Sequence, residues 1–181
     1  MELKKKRIAL LAEDRYQVLE LWYPLLRLKE AGATVTIVGR QRGKIHVSGQ
    51  GLEVKADIGA NEARPQDFDA VIIPGGYAPD LMRRNPAMVQ FVAEAYHKGK
   101  VVAAICHAGW MLVSAGIAQG KQLTSYHSIK DDMVNAGAIW QDKPVVRDHN
   151  LITSRQPEDL PYFCQEIIAA LTEIGQVFRL A

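Results

Sequence analysis

The chain has 181 residues, which suits one domain with a full core. Hydrophobic residues make up 48% and charged residues 23%, and 22 Lys and Arg against 20 Asp and Glu leave a net charge of +2. This balance gives no electrostatic case for nucleic acid or a membrane surface, and no apolar run approaches the ~20 residues that span a bilayer.

The apolar stretch at residues 8–12 is too short for the core of a signal peptide, and charge follows at once, so the expected location is cytoplasmic. In a reducing compartment Cys106 and Cys164 are expected as free thiols. The run Lys4-Lys5-Lys6-Arg7 reads as a solvated flank.

Residues 7–11 form a short apolar strand. Residues 18–31 carry Leu19, Leu21, Trp22, Leu25, Leu26 and Leu28 at helical spacing, with a kink or restart expected at Pro24 and a stop at Ala31-Gly32. A β-branched strand at 34–38 is followed by a hairpin of 45–47 with 52–58. A buried-type strand at 70–73 runs into Pro74-Gly75-Gly76. A helix is predicted over 86–97, a strand over 101–105 and a helix over 107–115. A short strand at 123–125, a helix over 129–136 capped by Gly137, and paired strands at 145–147 and 151–154 follow. The last helix begins near Pro157-Glu158 and runs to about Ile174. Strands alternating with helices predict an α/β fold, a mostly parallel sheet with helices on both faces, as a single domain over 1–181. Sites in such sheets lie beyond the carboxyl ends of the strands, which selects the loops 12–17, 74–80 and 106–109.

The third of these loops carries the strongest chemistry. Val101-Val102-Ala103-Ala104-Ile105 runs straight into Cys106-His107-Ala108-Gly109-Trp110. A strand ending in a tight turn with small neighbours is how a nucleophile elbow looks. The start of the following helix favours a thiolate, so Cys106 is expected to have a lowered pKa. Gly75-Gly76 reads either as a simple turn or as backbone that comes close to a ligand and offers an oxyanion hole. Glu20, among apolar neighbours, either faces solvent or is held at a site where its protonated form hydrogen-bonds a thiolate. His107 reads as a surface residue or as a base that curls back on its neighbour, and His127 as an alternative base or substrate contact. Asp80 could orient either histidine. His46, His97 and His149 read as surface residues, and Cys164 as a packing residue of the last helix. No spacing of histidines or cysteines suggests a metal site.

Taken together, Ala103-Ala104-Ile105-Cys106-His107-Ala108-Gly109 and Ile72-Ile73-Pro74-Gly75-Gly76 resemble the PfpI family of intracellular proteases and general stress proteins. Its superfamily includes the Parkinson-disease protein deglycase and class I glutamine amidotransferases. Ordered matches at Glu20-Leu21-Trp22-Tyr23-Pro24, Leu123-Thr124-Ser125-Tyr126, Asn135-Ala136-Gly137-Ala138 and Thr153-Ser154-Arg155 extend the resemblance through nearly the whole chain.

The resemblance implies a flavodoxin-like three-layer sandwich with Cys106 at the elbow and Glu20 as the acid that hydrogen-bonds it. It implies His107 as the site histidine, Asp80 as an acidic residue reaching that histidine from a neighbouring subunit, and Gly75, Gly76 and the His107 backbone as the oxyanion region. Three departures stand out. Gln17 and Val18 occupy the place of a frequent acidic pair, Ala108 replaces a frequent glycine, and His127 stands where proline is common. A late His-Pro-Glu completes the amidotransferase triad. Here the stretch reads Gln156-Pro157-Glu158, which argues against glutamine hydrolysis.

The expected function is a cofactor-free cysteine enzyme acting on small reactive carbonyls or on modified protein and peptide substrates, in a glyoxalase or deglycase manner, as a homo-oligomer. The alternatives are an intracellular peptidase with the same nucleophile, and a redox sensor working through Cys106 oxidation.

Overall fold

In a computed structural model, residues 2–177 are described, with side chains to residue 173. The elements in order are β1 (Arg7–Leu11), α1 (Val18–Glu30), β2 (Thr34–Gly39), β3 (Ile45–Val47), β4 (Glu53–Lys55), β5 (Ile58–Gly59), β6 (Ala70–Ile73), α2 (Ala78–Met82), α3 (Pro86–His97) and β7 (Val101–Ile105). They continue with α4 (Gly109–Ser114), β8 (Gln122–Leu123), α5 (Lys130–Asn135), β9 (Ile139–Trp140), β10 (Val145–Asp148), β11 (Leu151–Ser154) and α6 (Leu160–Val177).

Seven strands form one sheet in the order β10-β11-β7-β6-β1-β2-β5. Every neighbouring pair is parallel except β10 with β11. Strands β6 and β7 are buried at every residue, as a sheet covered on both faces requires. Helices α1 and α6 pack together on one face, and α3 and α4 cover β6 and β7 from the other. The fold is thus the flavodoxin-like sandwich. Among the described residues, no helix is long and apolar enough to cross a membrane.

The chain leaves β1 toward β2 on one side and β6 toward β7 on the other. The reversal opens a crevice above the β1–β6 pair, where loop ends are free to converge.

Several expected elements are corrected. Helix α1 runs on through the buried Pro24 instead of restarting there. The expected strand at 52–58 divides. Residues Glu53–Lys55 pair with β3, whereas Ile58-Gly59 joins the main sheet beside β2, because the Asp57 carboxylate accepts a hydrogen bond from the Ile37 N–H and pulls the chain across. The expected strand at 123–125 stops at Leu123, since the Thr124 N–H donates to the Thr153 hydroxyl rather than to a ladder. Two short elements, α2 and β9, lie where no element was expected. His46 is fully buried rather than on the surface, because the middle residue of a three-residue strand points its side chain inward, against Gly39. His97 and His149 are exposed, and Cys164 is buried in α6.

Candidate active site

Cys106 follows β7 directly and has a φ of +62°. A non-glycine residue in the left-handed region is strained, and the surroundings must hold it there. Here they do. The turn continues as a single 3-10 turn, Cys106–Ala108, into α4, and a side chain on Gly109 would meet the Met133 sulfur at 2.7 Å. The Cys106 carbonyl accepts a hydrogen bond from the Tyr126 N–H.

The loop after β6 closes over the sulfur. A Cβ on Gly75 would lie 2.6 Å from Glu20 Oε2, 2.7 Å from Cys106 Cβ and 2.9 Å from the Ile105 carbonyl. Gly76 has a φ of +76° and forms a bridge with Tyr16. A Cβ there would meet the Gln17 nitrogen at 2.6 Å. Both glycines are therefore required by close approach of backbone, and the simple-turn reading falls away.

Their roles differ, however, from the expected shared oxyanion hole. The Gly75 N–H donates to Glu20 Oε2 at 2.8 Å and is already engaged. The backbone amides of Gly76 and His107 are the ones that favour the ionised sulfur.

Glu20 is held at the site, fully buried in the first turn of α1, whose N-terminus is capped by the Gln17 side chain. Its Oε1 has no hydrogen-bond partner among the described residues. Burial pushes this carboxyl up to about 7, although the Gly75 N–H and Cys106 pull it down. Burial and the Glu20 charge push the Cys106 thiol up to about 12, against the Gly76 and His107 amides. The expectation of a lowered thiol pKa is thus corrected for the state in which Glu20 is ionised. The two groups form one coupled acid. Once the pair has lost its first proton, the remaining proton sits on sulfur or on Glu20, and the thiolate exists in the second arrangement.

His107 curls back on its neighbour. Its Nδ1 lies 3.1 Å from Cys106 Sγ and its Nε2 lies 3.1 Å from Ser128 Oγ. The ring lies against Trp110 and Tyr126 in tilted contacts, with centroids 5.2 and 5.1 Å away. Burial, and then the neighbouring His127, hold its pKa below the usual histidine value, so it is neutral at pH 7. With Nε2–H donated to Ser128, Nδ1 presents a lone pair to the sulfur. Ser128 was not singled out from the sequence. Its signal was present, since it directly follows His127 and lies two residues beyond the match at Leu123-Thr124-Ser125-Tyr126.

His127 is exposed and stacks on Tyr126 rather than reaching the sulfur. It lines a shallow cavity with Ser125, Trp140, Asp142, Arg155 and Gln156, beside the site. Asp80 lies on α2, where Arg84 pairs with its carboxylate at 2.6 Å and holds its pKa down. It makes no hydrogen bond or ion pair with His107 of the same chain. The structure therefore brings Cys106, His107, Glu20, Gly75 and Gly76 together, and Asp80 stays apart.

Fold and site define a flavodoxin-like domain that presents a cysteine at a strained strand-to-helix elbow. The model of the DJ-1/PfpI family matches residues 6–170, and the chain belongs to that family. It is 41% identical over 165 residues to the deglycase PfpI of Pyrococcus furiosus, covering 91% of this chain and 99% of that protein. It is 37% identical over 166 residues to the putative cysteine protease YraA of Bacillus subtilis, covering 92% and 98%. Among solved structures it resembles a two-domain protein of Anabaena variabilis with DJ-1/ThiJ/PfpI-like and ferritin-like domains, with a TM-score of 0.91 and 44% identity. That match covers 92% of this chain and 48% of the other.

Proposed function

We propose that this chain is a cytoplasmic, stress-protective thiol enzyme acting on small reactive carbonyls such as methylglyoxal and their adducts on protein amines. One observation carries the reading. Cys106 exposes only 7% of its surface and sits 3.1 Å from a neutral imidazole, beside a carboxyl that can hold its proton. A small electrophile reaches such a sulfur more readily than an extended peptide does. The deglycase relatives support this chemistry.

In the arrangement with the proton on Glu20, the sulfur adds to the aldehyde carbon. A C–S bond forms, the carbonyl electron pair moves onto oxygen, and that oxygen takes the Glu20 proton. The Gly76 and His107 amides, which favour charge at the sulfur, can serve as donors to the developing charge beside it. His107 Nδ1 then takes the proton from the same carbon and returns it to the adjacent one, while the new hydroxyl proton passes by way of the Glu20 carboxylate to the neighbouring carbonyl oxygen, so that the first C–O becomes a thioester carbonyl and the second a hydroxyl. Water releases the hydroxy acid and restores the thiol. The net change is addition of one water to methylglyoxal, so the balance needs no outside oxidant or reductant. The test is lactate formation from methylglyoxal by the intact chain and by a Cys106 variant.

Ser128 acts here as a positioning residue through His107. Ser128→Ala is expected to lower kcat about fivefold, the worth of one hydrogen bond of about 1 kcal/mol, with KM nearly unchanged. It is also expected to displace the acid limb of the pH–rate profile, and Ser128→Thr should restore both. A profile that does not move would leave Ser128 a packing residue only.

The name of the Bacillus relative supports peptide cleavage as a second reading. Hydrolysis of fluorogenic peptides by the wild type but not by Cys106→Ala would favour it. Asp80 enters either reading through a second copy of the chain, and the exposed stripe of Leu19, Tyr23 and Leu26 on α1 supports such self-association.

A further inference from the structure

Away from Cys106, three metal-ligating side chains converge at the far end of the β1 loop. Glu13 and Asp14 follow β1, and His46 sits in the middle of β3. One ligand atom from each lies within 4.8 Å of the others. His46 Nδ1 is 3.1 Å from Glu13 Oε1 and 3.5 Å from Asp14 Oδ1.

His46 is fully buried, and neither ring nitrogen has a hydrogen-bond partner among the described residues. At 3.1 Å the Nδ1 is close enough to Glu13 Oε1 for a hydrogen bond, yet the geometry of one is not met. Two such groups held close without a bond between them can flank a third atom. Ligands about 2.1 Å from one cation in tetrahedral array lie roughly 3.4 Å apart, which falls between the two separations seen.

The carboxylates are also held as ligands are held. Glu13 Oε1 accepts from the Asp14 N–H and Oε2 from Arg40 Nε, while Asp14 Oδ1 accepts from the Val47 N–H. The Arg40 ion pair to Glu13 Oε2, at 3.0 Å, favours the carboxylate form that a cation needs. The Asp14 side chain is 41% exposed, which gives a cation a path in and room for water as a further ligand.

We infer that Glu13, Asp14 and His46 form a binding site for a divalent first-row cation of the zinc type, taken by one imidazole nitrogen and two carboxylate oxygens. The mixed nitrogen and oxygen set suits zinc better than magnesium or calcium. The site would brace the elbow from a distance. Residues 15–17 run directly from it to the Gly75-Gly76 turn, where the Tyr77 N–H donates to the Arg15 carbonyl and the Gln17 N–H to the Gly75 carbonyl.

The test is titration of untagged, chelator-stripped protein with zinc chloride and, separately, magnesium chloride, read by calorimetry and by melting temperature. The Cys106→Ala variant is used throughout, so that zinc capture by the reactive thiol does not contribute and the outcome is independent of the carbonyl chemistry. One zinc per chain is expected, with a raised melting temperature and no response to magnesium. Asp14→Asn keeps the acceptor for Val47 and should fold, but should weaken zinc binding at least about tenfold. His46→Ala should abolish it. Absence of zinc binding up to about 100 μM, a zinc affinity well outside that of a dedicated site, would overturn the proposal. So would undiminished binding in Asp14→Asn.

Discussion

Cys106→Ala is expected to reduce methylglyoxal consumption at least about a thousandfold, to the level of buffer, while leaving the fold intact. No other group replaces the sulfur. Cys164 is buried in α6, where burial pushes its thiol up to about 12, and it lies in a different part of the chain from His107 and Glu20. Alanine keeps the backbone and removes only the sulfur, whose burial beside Glu20 is itself unfavourable to charge, so the melting temperature should change little. The measurement is lactate formation and carbonyl loss at equal protein concentration. Equal rates in wild type and variant would remove Cys106 as the nucleophile and the proposed activity with it.

Gly75→Ala is expected to be strongly destabilising for a single added methyl. Gly75 does not need a left-handed backbone, so the cost is steric. The new Cβ would stand 2.6 Å from Glu20 Oε2, 2.7 Å from Cys106 Cβ and 2.9 Å from a main-chain carbonyl. The carbonyl and Cys106 Cβ belong to the strained elbow, and Glu20 is anchored by the Gly75 N–H itself. Only the Glu20 oxygen is a side-chain end, and the Gly75 N–H pins it. Overpacking against such rigid neighbours costs about 3 kcal/mol, which in a chain of this size lowers the melting temperature by roughly 6–12 °C.

Gly99 makes the control, since its φ is +70° but a Cβ there meets nothing within 4 Å. Gly99→Ala should cost only the left-handed strain, about 1–2 kcal/mol. If the two variants melt alike, contact with the elbow is not what glycine at position 75 preserves.

These contrasts also show why parts of the molecule could be read in advance. Strands β6 and β7 are continuous apolar runs buried on both faces, and composition alone marks them. The elbow was legible because Cys106 ends such a run and small residues follow. Glu20 and Gly75 were legible only with the family resemblance, because a buried carboxyl in an apolar helix looks the same as one on a solvated face.

What stayed hidden depends on tertiary reach. Ser128 meets His107 across 21 residues, and His46 meets Glu13 across 33, so neither local spacing nor periodicity records the encounter. Strands β8 and β9 have two residues each, too few to show an alternation. The direction of the Cys106 shift was misjudged for a related reason. The elbow's amides are evident from the turn, whereas the desolvation and the Glu20 charge that oppose them come from packing.

The central claim is that Cys106 and Glu20 share one proton at the elbow. The pH dependence of Cys106 alkylation by iodoacetamide, in wild type and in Glu20→Gln, tests it most directly. At low pH both groups are protonated and the sulfur is inert. As pH rises through about 7 the pair loses one proton, a fraction of molecules keeps the other on Glu20, and the rate should climb to a plateau before a second rise toward pH 12. In Glu20→Gln the first limb should vanish and a single thiol ionisation remain. Superimposable profiles, or a wild-type profile with one limb near the free-cysteine value of ~8.5, would contradict the account.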